Sequence, residues 1–449
     1  MPSKLQEALD RELQRYVTDN PKSRAMQERA ERSLPGGDSR NSIWWAPFPT
    51  YVVKGEGSKL HDIDGHARID MINNMTTLIL GHSHPAVVKA VAAQAAQGLS
   101  FPAPSELVVR WAEILVDRVP SLDKVRFVNS GTEGTLNAIR AARAFTGKDK
   151  IAKFEGGYHG AHDDVAVSVD PPMAKAGDPK APNSVADYLG VPKKSPELTI
   201  VMPYNDLEAS SALIEKHAHE LAAVIVEPVI GRLGMVPADT EFLAGLRDLT
   251  RRLGIVLIFD EVIALRVARG GAQERFGVIP DMTAMGKIIG GGLPVGGFGG
   301  RADIMELFSP KTGPKVKHAG TFNGNPMTAA AGVATMEALN PEVYRRLDEM
   351  GERVRKKLSS LIKDREAPMG VTGVASLFAL QFTTTPIRDY RAVQTTDRTL
   401  QRLMFIGLLN EGYAVSPACA GNVSSVLTEK EADGFVAAVG RVLDRAGYA

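Results

Sequence analysis

One cysteine, Cys419, stands among 449 residues, so no internal disulfide can staple this chain, and a reducing compartment suits it. An excess of charge is missing as well. Fifty-three Lys and Arg face 52 Asp and Glu, and the net charge of +1 leaves no broad basic field to draw nucleic acid or an anionic membrane. No apolar run approaches the roughly 20 residues that span a bilayer. No solenoid-type repeat and no low-complexity tract is visible. The opening stretch, MPSKLQEALDRELQRY, reads as an amphipathic charged helix without the apolar centre of a secretory signal. A cytoplasmic protein with neither nucleic acid nor membrane as partner is expected. What the chain does have is an interior. Its 44% hydrophobic content and its length predict a two-domain subunit of enzyme size.

The pattern along the chain divides in three. Residues 1–81 hold the first helix, the turn-rich aromatic stretch LPGGDSRNSIWWAPFP, and KLHDIDGHARIDM with its Asp-Gly turn between short strands, the beginnings of a small lobe. From His82 to Ala330 helices alternate with short apolar runs: KVRFVN, KIAKFE, LAAVIVEP, IVLIFDE and DMTAMGK. Continuous apolar strands between helices are what a parallel sheet covered on both faces requires, so a doubly wound α/β domain is predicted. Residues 331–449 open on the charged helix EVYRRLDEMGERVRKKLSSLIKD and complete a second, α+β lobe with the N-terminal segment. Residues 170–197, dense in Pro, Gly and Lys, read as an insertion loop and a candidate lid.

Ligands of open parallel sheets bind beyond the carboxyl ends of the strands, so the residues after each strand matter most. After KVRFV comes NSGTEG, a glycine turn opening a helix, with Ser130, Gly131 and Thr132 offering hydroxyls and free N–H groups to a phosphate. An ordinary helix cap competes for the same residues. After KIAKF, two glycines precede Tyr158 and His159, which suits an aromatic ring stacked on a flat ligand. The spacing of His159, His162, Asp163 and Asp164 matches no closed zinc or iron site, and no metal is expected. After IVLIF come Asp260 and Glu261. A Walker B reading would need G-x-x-x-x-G-K-[ST], and neither Gly147-Lys148 nor Gly286-Lys287 is followed by Ser or Thr. Nor does a G-x-G-x-x-G open a helix after a strand, so dinucleotide binding is unsupported. The next strand places Lys287 among glycines, where burial can free an amine to attack carbonyls. Phosphate loop, stacking aromatic, strand-end acid and lysine on one sheet are the parts of a pyridoxal 5′-phosphate site. Lys287 would hold the aldehyde, Asp260 would pair with the ring nitrogen, and Val262 would pack on the ring opposite Tyr158.

With those residues in place, the chain resembles the class III aminotransferases of pyridoxal-phosphate fold type I over essentially its whole length. NSGTE, FEGGYHG, VIVEP, FDEV, GKIIGGG and GTFNGNP look like that family's motifs in the expected order. The resemblance implies a large domain with a mostly parallel sheet of seven-stranded type and a small domain from both termini. It also implies a homodimer with shared active sites, in which Thr321 reaches the phosphate of the neighbouring subunit. Lys287 becomes the cofactor-bearing lysine and proton shuttle of a ping-pong aminotransferase. Glu227 of VIVEP would support the cofactor-side hydrogen bonds, and reads equally well as a salt-bridged strand end.

Two subgroups compete. LSFPAPSELVVRWAEIL and GKIIGGGLPVGGFGGRADIM look like glutamate-1-semialdehyde 2,1-aminomutase. PGGDSRNSIWWAPFP looks like the β-amino acid (β-phenylalanine) aminotransferases, whose arginine matching Arg40 grips a substrate carboxylate. Trp44, Trp45 and Phe48 would form an aromatic-tolerant wall. Met75, Thr76 and Thr77 replace the aminomutases' Trp-Gly-Pro, and CAGN lacks their acid. Ala418 stands where the β-amino acid enzymes carry an acceptor-binding arginine. The favoured expectation is transfer from an amine or β-amino acid donor to a keto acid or aldehyde; the alternative is the intramolecular aminomutase.

Overall fold

A computed structural model describes residues 4–448, and residues 1–3 of the first predicted helix lie outside the described residues. The chain forms two compact units. One comprises residues 1–84, 346–386 and 395–449; the other comprises residues 85–345 together with the short return segment 387–394.

In the first unit, β2 (Lys59–Asp62) and β3 (Ala67–Asp70) form the expected strand pair about the Asp-Gly turn, and β1 (Val52–Glu56) extends it to an antiparallel meander. Gly65 takes φ +97° in the Asp-Gly turn between β2 and β3, a conformation cheap only for glycine. The end of this sheet leads into an uncommon backbone. Asn73, Asn74, Met75 and Thr76 all have left-handed φ, from 48° to 76°. L-residues resist this at roughly 1–2 kcal/mol each, so neighbours must hold the turn. They do: Asp70 Oδ1 accepts from the N–H of Ile72 and Asn73, and the Asn422 amide donates to the Ile72 carbonyl.

The second unit is built on a seven-stranded sheet. Its members are β4 (Lys124–Val128), β5 (Lys150–Phe154), β6 (Thr199–Met202), β7 (Leu221–Val226), β8 (Val256–Asp260), β9 (Met282–Gly286) and β10 (Gly296–Gly300). The order is β4-β10-β9-β8-β7-β5-β6, and β10 alone runs antiparallel to its neighbours. Every residue of β7 and β8 is buried, which is why these strands read as unbroken apolar runs. Side chains alternate between two cores. Ala152, Phe154, Val224, Leu257 and Phe259 meet one set of helices, while Ile151, Ala223, Ile225 and Ile258 meet α1 (Gly131–Thr146) and its surroundings.

Strand β10 is absent from the sequence expectations because glycine disfavours strands. Its sequence GGFGG answers to crowding: a Cβ on Gly296 would lie 1.8 Å from the Ser130 carbonyl oxygen, and one on Gly299 2.4 Å from that of Lys124. The expected lid at 170–197 is fastened down. Tyr390 donates to Asp170 Oδ1 and the Pro171 carbonyl, and Arg391 reaches the carbonyls of Ala176, Gly177 and Asp178 while gripping the Glu155 carboxylate bidentately. It is a strap across the 155–160 turn, with the return segment 387–394 as its buckle.

Candidate active site

Five strand ends of the second unit supply the polar groups that sequence reading singled out. At the end of β4, Ser130 caps α1: its hydroxyl accepts from Glu133 N–H at 3.2 Å. The cap and the anion site therefore coexist. Among the described residues nothing accepts from the N–H groups of Gly131 and Thr132, the free first-turn donors that favour an anion. The floor below them is closed, since a Cβ on Gly131 would meet both Val262 methyls at 3.0 Å and one on Gly286 would meet Val262 at 3.3 Å.

At the end of β8, the Asp260 carboxylate is almost fully buried. Its Oδ2 lies 2.9 Å from His159 Nδ1, and its Oδ1 accepts from Val262 N–H at 3.1 Å. Burial lowers the pKa of His159, against the pull of Asp260, so the ring is neutral and donates Nδ1–H to the carboxylate. That bond leaves His159 Nε2 buried with no partner. The motif FEGGYHG pointed to His159, but its work as the brace of Asp260 shows only when the ends of β5 and β8 are brought together.

Glu227, after β7, accepts from Tyr158 N–H at 2.8 Å and from Gly231 N–H at 3.4 Å. It thereby fixes the backbone at Tyr158, a residue that remains 46% exposed. Burial raises the Glu227 pKa, and the nearby Asp260 carboxylate raises it further. Lys287 follows β9 with φ +50° and is partly buried. No described residue accepts from its Nζ. Burial lowers its pKa, while Asp260 and Glu227 oppose that shift. Burial thus favours the neutral amine, and the neighbouring acids favour the ammonium.

The neighbouring acid, Glu261, is fully buried and turned away from this cluster. It accepts from the N–H groups of Ala272 and Gln273 and from the Gln273 amide at 2.9 Å. The histidine-acid cluster weighed as a metal site disperses in the same way. His159 goes to Asp260, Asp164 pairs with Arg143, and among the described residues no group of three or more His, Cys, Asp or Glu could hold a metal ion. Thr321 is exposed.

The predicted substrate residues belong to the first unit. Arg40 is exposed and donates to Asn74 Oδ1 at 3.0 Å; Trp44 and Met75 are exposed by 43% and 38%. Trp45 sits edge-on to Phe405 at 5.4 Å. Phe48 packs on Tyr16 in the interior, which removes it from the expected wall. Asn422 of CAGN is spent on the left-handed turn that carries Met75.

The sequence profile of a family described as aminotransferase class-III matches residues 42–413. A glutamate-1-semialdehyde 2,1-aminomutase from Methanopyrus kandleri is 42% identical over 96% of this chain and 99% of its own length. Among solved structures, an omega-transaminase from Sphaerobacter thermophilus superposes with a TM-score of 0.92 at 42% identity, covering 95% of this chain and 98% of that one. A β-phenylalanine aminotransferase from Variovorax paradoxus gives 0.90 at 37% identity, over 99% and 98%. The cofactor of this family is pyridoxal 5′-phosphate, bound in a solved transaminase of the same fold. The donors present suit it: free amides at a helix start for a phosphate, a braced carboxylate for a ring nitrogen, and an unpartnered amine for an aldehyde. Among the described residues no helix is long and apolar enough to cross a membrane.

Proposed function

The chain belongs to the class III aminotransferases, pyridoxal-phosphate enzymes of fold type I, and from that premise we propose that it moves an amino group between two molecules through Lys287. The donor is an amine or β-amino acid, the acceptor a keto acid or aldehyde. The observation that carries the reading is the pairing of a braced acid with a free base: Asp260 held by His159 at 2.9 Å, and Lys287 left without a partner.

When bound, the cofactor supplies an electron sink for the bond broken at the substrate carbon. The residues divide the remaining work. Gly131 and Thr132 N–H groups bind the phosphate, with the Ser130 cap fixing their helix. Asp260, fixed by the His159 and Val262 N–H donors, would pair with the ring nitrogen. Tyr158 and Val262 would hold the cofactor ring. Lys287, with its proton affinity lowered by burial, takes the proton from the substrate carbon and returns it on the other side of the exchange. Glu227 keeps Tyr158 in place by accepting its N–H.

Arg40 binds a substrate carboxylate through its guanidinium fork, with Trp44, Trp45 and Met75 reading the apolar part of the donor. The assembly is a cytoplasmic homodimer in which Thr321 serves the phosphate site of the partner subunit. The second reading is intramolecular transfer, favoured by 42% identity to an aminomutase across nearly the full length. Against it stand Met75 and the acid-free CAGN stretch, whose Asn422 is committed to the backbone of Ile72.

A half-reaction separates the two. The yellow cofactor-loaded protein is mixed with arylalkyl amines, β-phenylalanine, α-amino acids and 4,5-diaminovalerate, and loss of colour is followed. Bleaching by the amines or β-phenylalanine supports the intermolecular reading, and bleaching by diaminovalerate alone returns the chain to the aminomutases. Lys287→Ala should lower turnover by roughly a thousandfold or more and abolish covalent retention of cofactor after borohydride. Arg40→Ala should weaken carboxylated donors while sparing uncharged amines; equal loss on both would make Arg40 structural.

A further inference from the structure

Lys153 occupies a position where a lysine is costly. It sits in β5 between Ala152 and Phe154, with none of its surface exposed. A methionine of similar length would fill the same space without the cost of desolvating a charge. Its Nζ has one hydrogen bond, to the Val167 carbonyl. Val167 belongs to the strap over the 155–160 turn: Val167 and Ala186 form an antiparallel bridge, and Gly156 N–H donates to the Ser168 carbonyl at 2.9 Å. The same strap carries Asp187, whose Oδ1 accepts from Val169 and Asp170 N–H groups while its Oδ2 is buried without a partner. The charged groups facing Lys153 are Asp187, Glu227 and Glu155, with Arg232 as the opposing cation. Burial lowers its pKa to about 8, against the pull of those three carboxylates.

The charge count around the site gives this placement a purpose. Asp260 and Glu227 are two buried acids, His159 is neutral, and Lys287 must be uncharged whenever it acts as a base. At that stage Lys153 is a buried cation that still faces Glu227. We propose that Lys153 is a positioning residue for the cofactor site: buried in β5 just before the 155–160 turn, it ties that turn to the 165–187 strap through the Val167 carbonyl and so fixes the turn that carries Tyr158. The inference rests on the reading of Lys287 and Asp260 given above.

The test compares Lys153→Met with Lys153→Arg in the full-length protein. Three quantities are read: the dissociation constant of the cofactor from the apoprotein, the rate of limited proteolysis within 165–187, and the pH midpoint of the bound cofactor's absorbance change. For Lys153→Met the cofactor should bind about tenfold more weakly, and the midpoint should rise by roughly one pH unit, since losing a cation raises its neighbours' proton affinity. The strap should become cleavable. Lys153→Arg should keep the midpoint within about 0.3 unit even if its melting temperature falls. Normal affinity and midpoint in Lys153→Met, with only lower thermal stability, would overturn the proposal. So would a midpoint shift in Lys153→Arg equal to that of Lys153→Met. If Lys153→Met does not fold, the arginine variant decides alone, a shifted midpoint overturning the proposal and an unshifted one supporting it. Covalent cofactor retained in Lys287→Ala would instead sink the underlying reading, and leave the behaviour of Lys153→Met unchanged.

Discussion

Asp260 and Glu261 leave the same strand side by side and enter opposite kinds of surroundings. On the side of Glu261 every polar group is answered. The carboxylate accepts three N–H bonds, the Gln273 amide also donates to Thr283 Oγ1, Ser121 N–H donates to Gln273 Oε1, and the Ser121 and Thr283 hydroxyls meet at 2.8 Å. On the side of Asp260 the set is open among the described residues: His159 Nε2 has no partner, the first-turn amides of α1 are free, and Lys287 Nζ is unpaired. A closed network rigidifies the sheet, whereas an open one stores the capacity to bind. The difference suits Glu261 to scaffold duty and is what leads us to propose the chemistry for Asp260, although the two are chemically almost the same.

Mutation should separate them in kind, and the largest effect belongs to the scaffold. Glu261→Ala leaves three buried donors unanswered and should cost about 3 kcal/mol of stability, read by urea denaturation, while kcat of the folded fraction stays within about threefold. A large kcat loss at unchanged stability would abolish the contrast. His159→Gln should do the reverse, lowering kcat by roughly tenfold to a hundredfold through a loosened Asp260 while the urea midpoint moves little.

The pH dependence sharpens the same contrast. Burial, with a smaller push from Asp260, raises the Glu261 pKa from 4.5 to about 7. The folded protein then keeps a proton that the unfolded chain releases, so Glu261 contributes a loss of stability as pH rises from 4.5 towards 7, at most about 1.4 kcal/mol per pH unit. Urea midpoints at pH 5 and pH 7 should show that slope in the wild type and a flatter one in Glu261→Ala. The smallest effect lies in a third region, where the network is closed but the backbone strained. Asn74→Gly keeps the left-handed φ of 49° at no steric cost and should stabilise by up to about 1 kcal/mol, seen as a rise in melting temperature. A fall would mean that the Arg40 bond to Asn74, not the backbone, dominates there.

Much of the second unit was legible because its strands are buried on both faces. IVLIFDE, LAAVIVEP and KIAKFE mark β8, β7 and β5 by apolar continuity alone, and each strand end then presents a polar residue where ligands bind. Strand β10 was hidden because GGFGG carries the signature of a loop, and its reason is the approach of the Ser130 and Lys124 carbonyls. The strap was read as a lid because Pro and Gly say nothing about what fastens them. Its fastenings, Tyr390 and Arg391, lie some 200 residues away in sequence. The left-handed turn at 73–76 has no glycine to announce it, and depends on Asp70 and Asn422.

What the sequence determined by itself is the family and its cofactor: the residue types after each strand, in their order, are those expected of a phosphate cradle, a ring acid and an amine. Those features are local, set by strand ends and helix starts. What only the tertiary structure decided is the state of each group: which acid is braced by His159, which is sealed by Gln273, and which lysines lose their water. Hydrogen-bond saturation and desolvation depend on neighbours brought from other strands, and no local pattern in the chain encodes them.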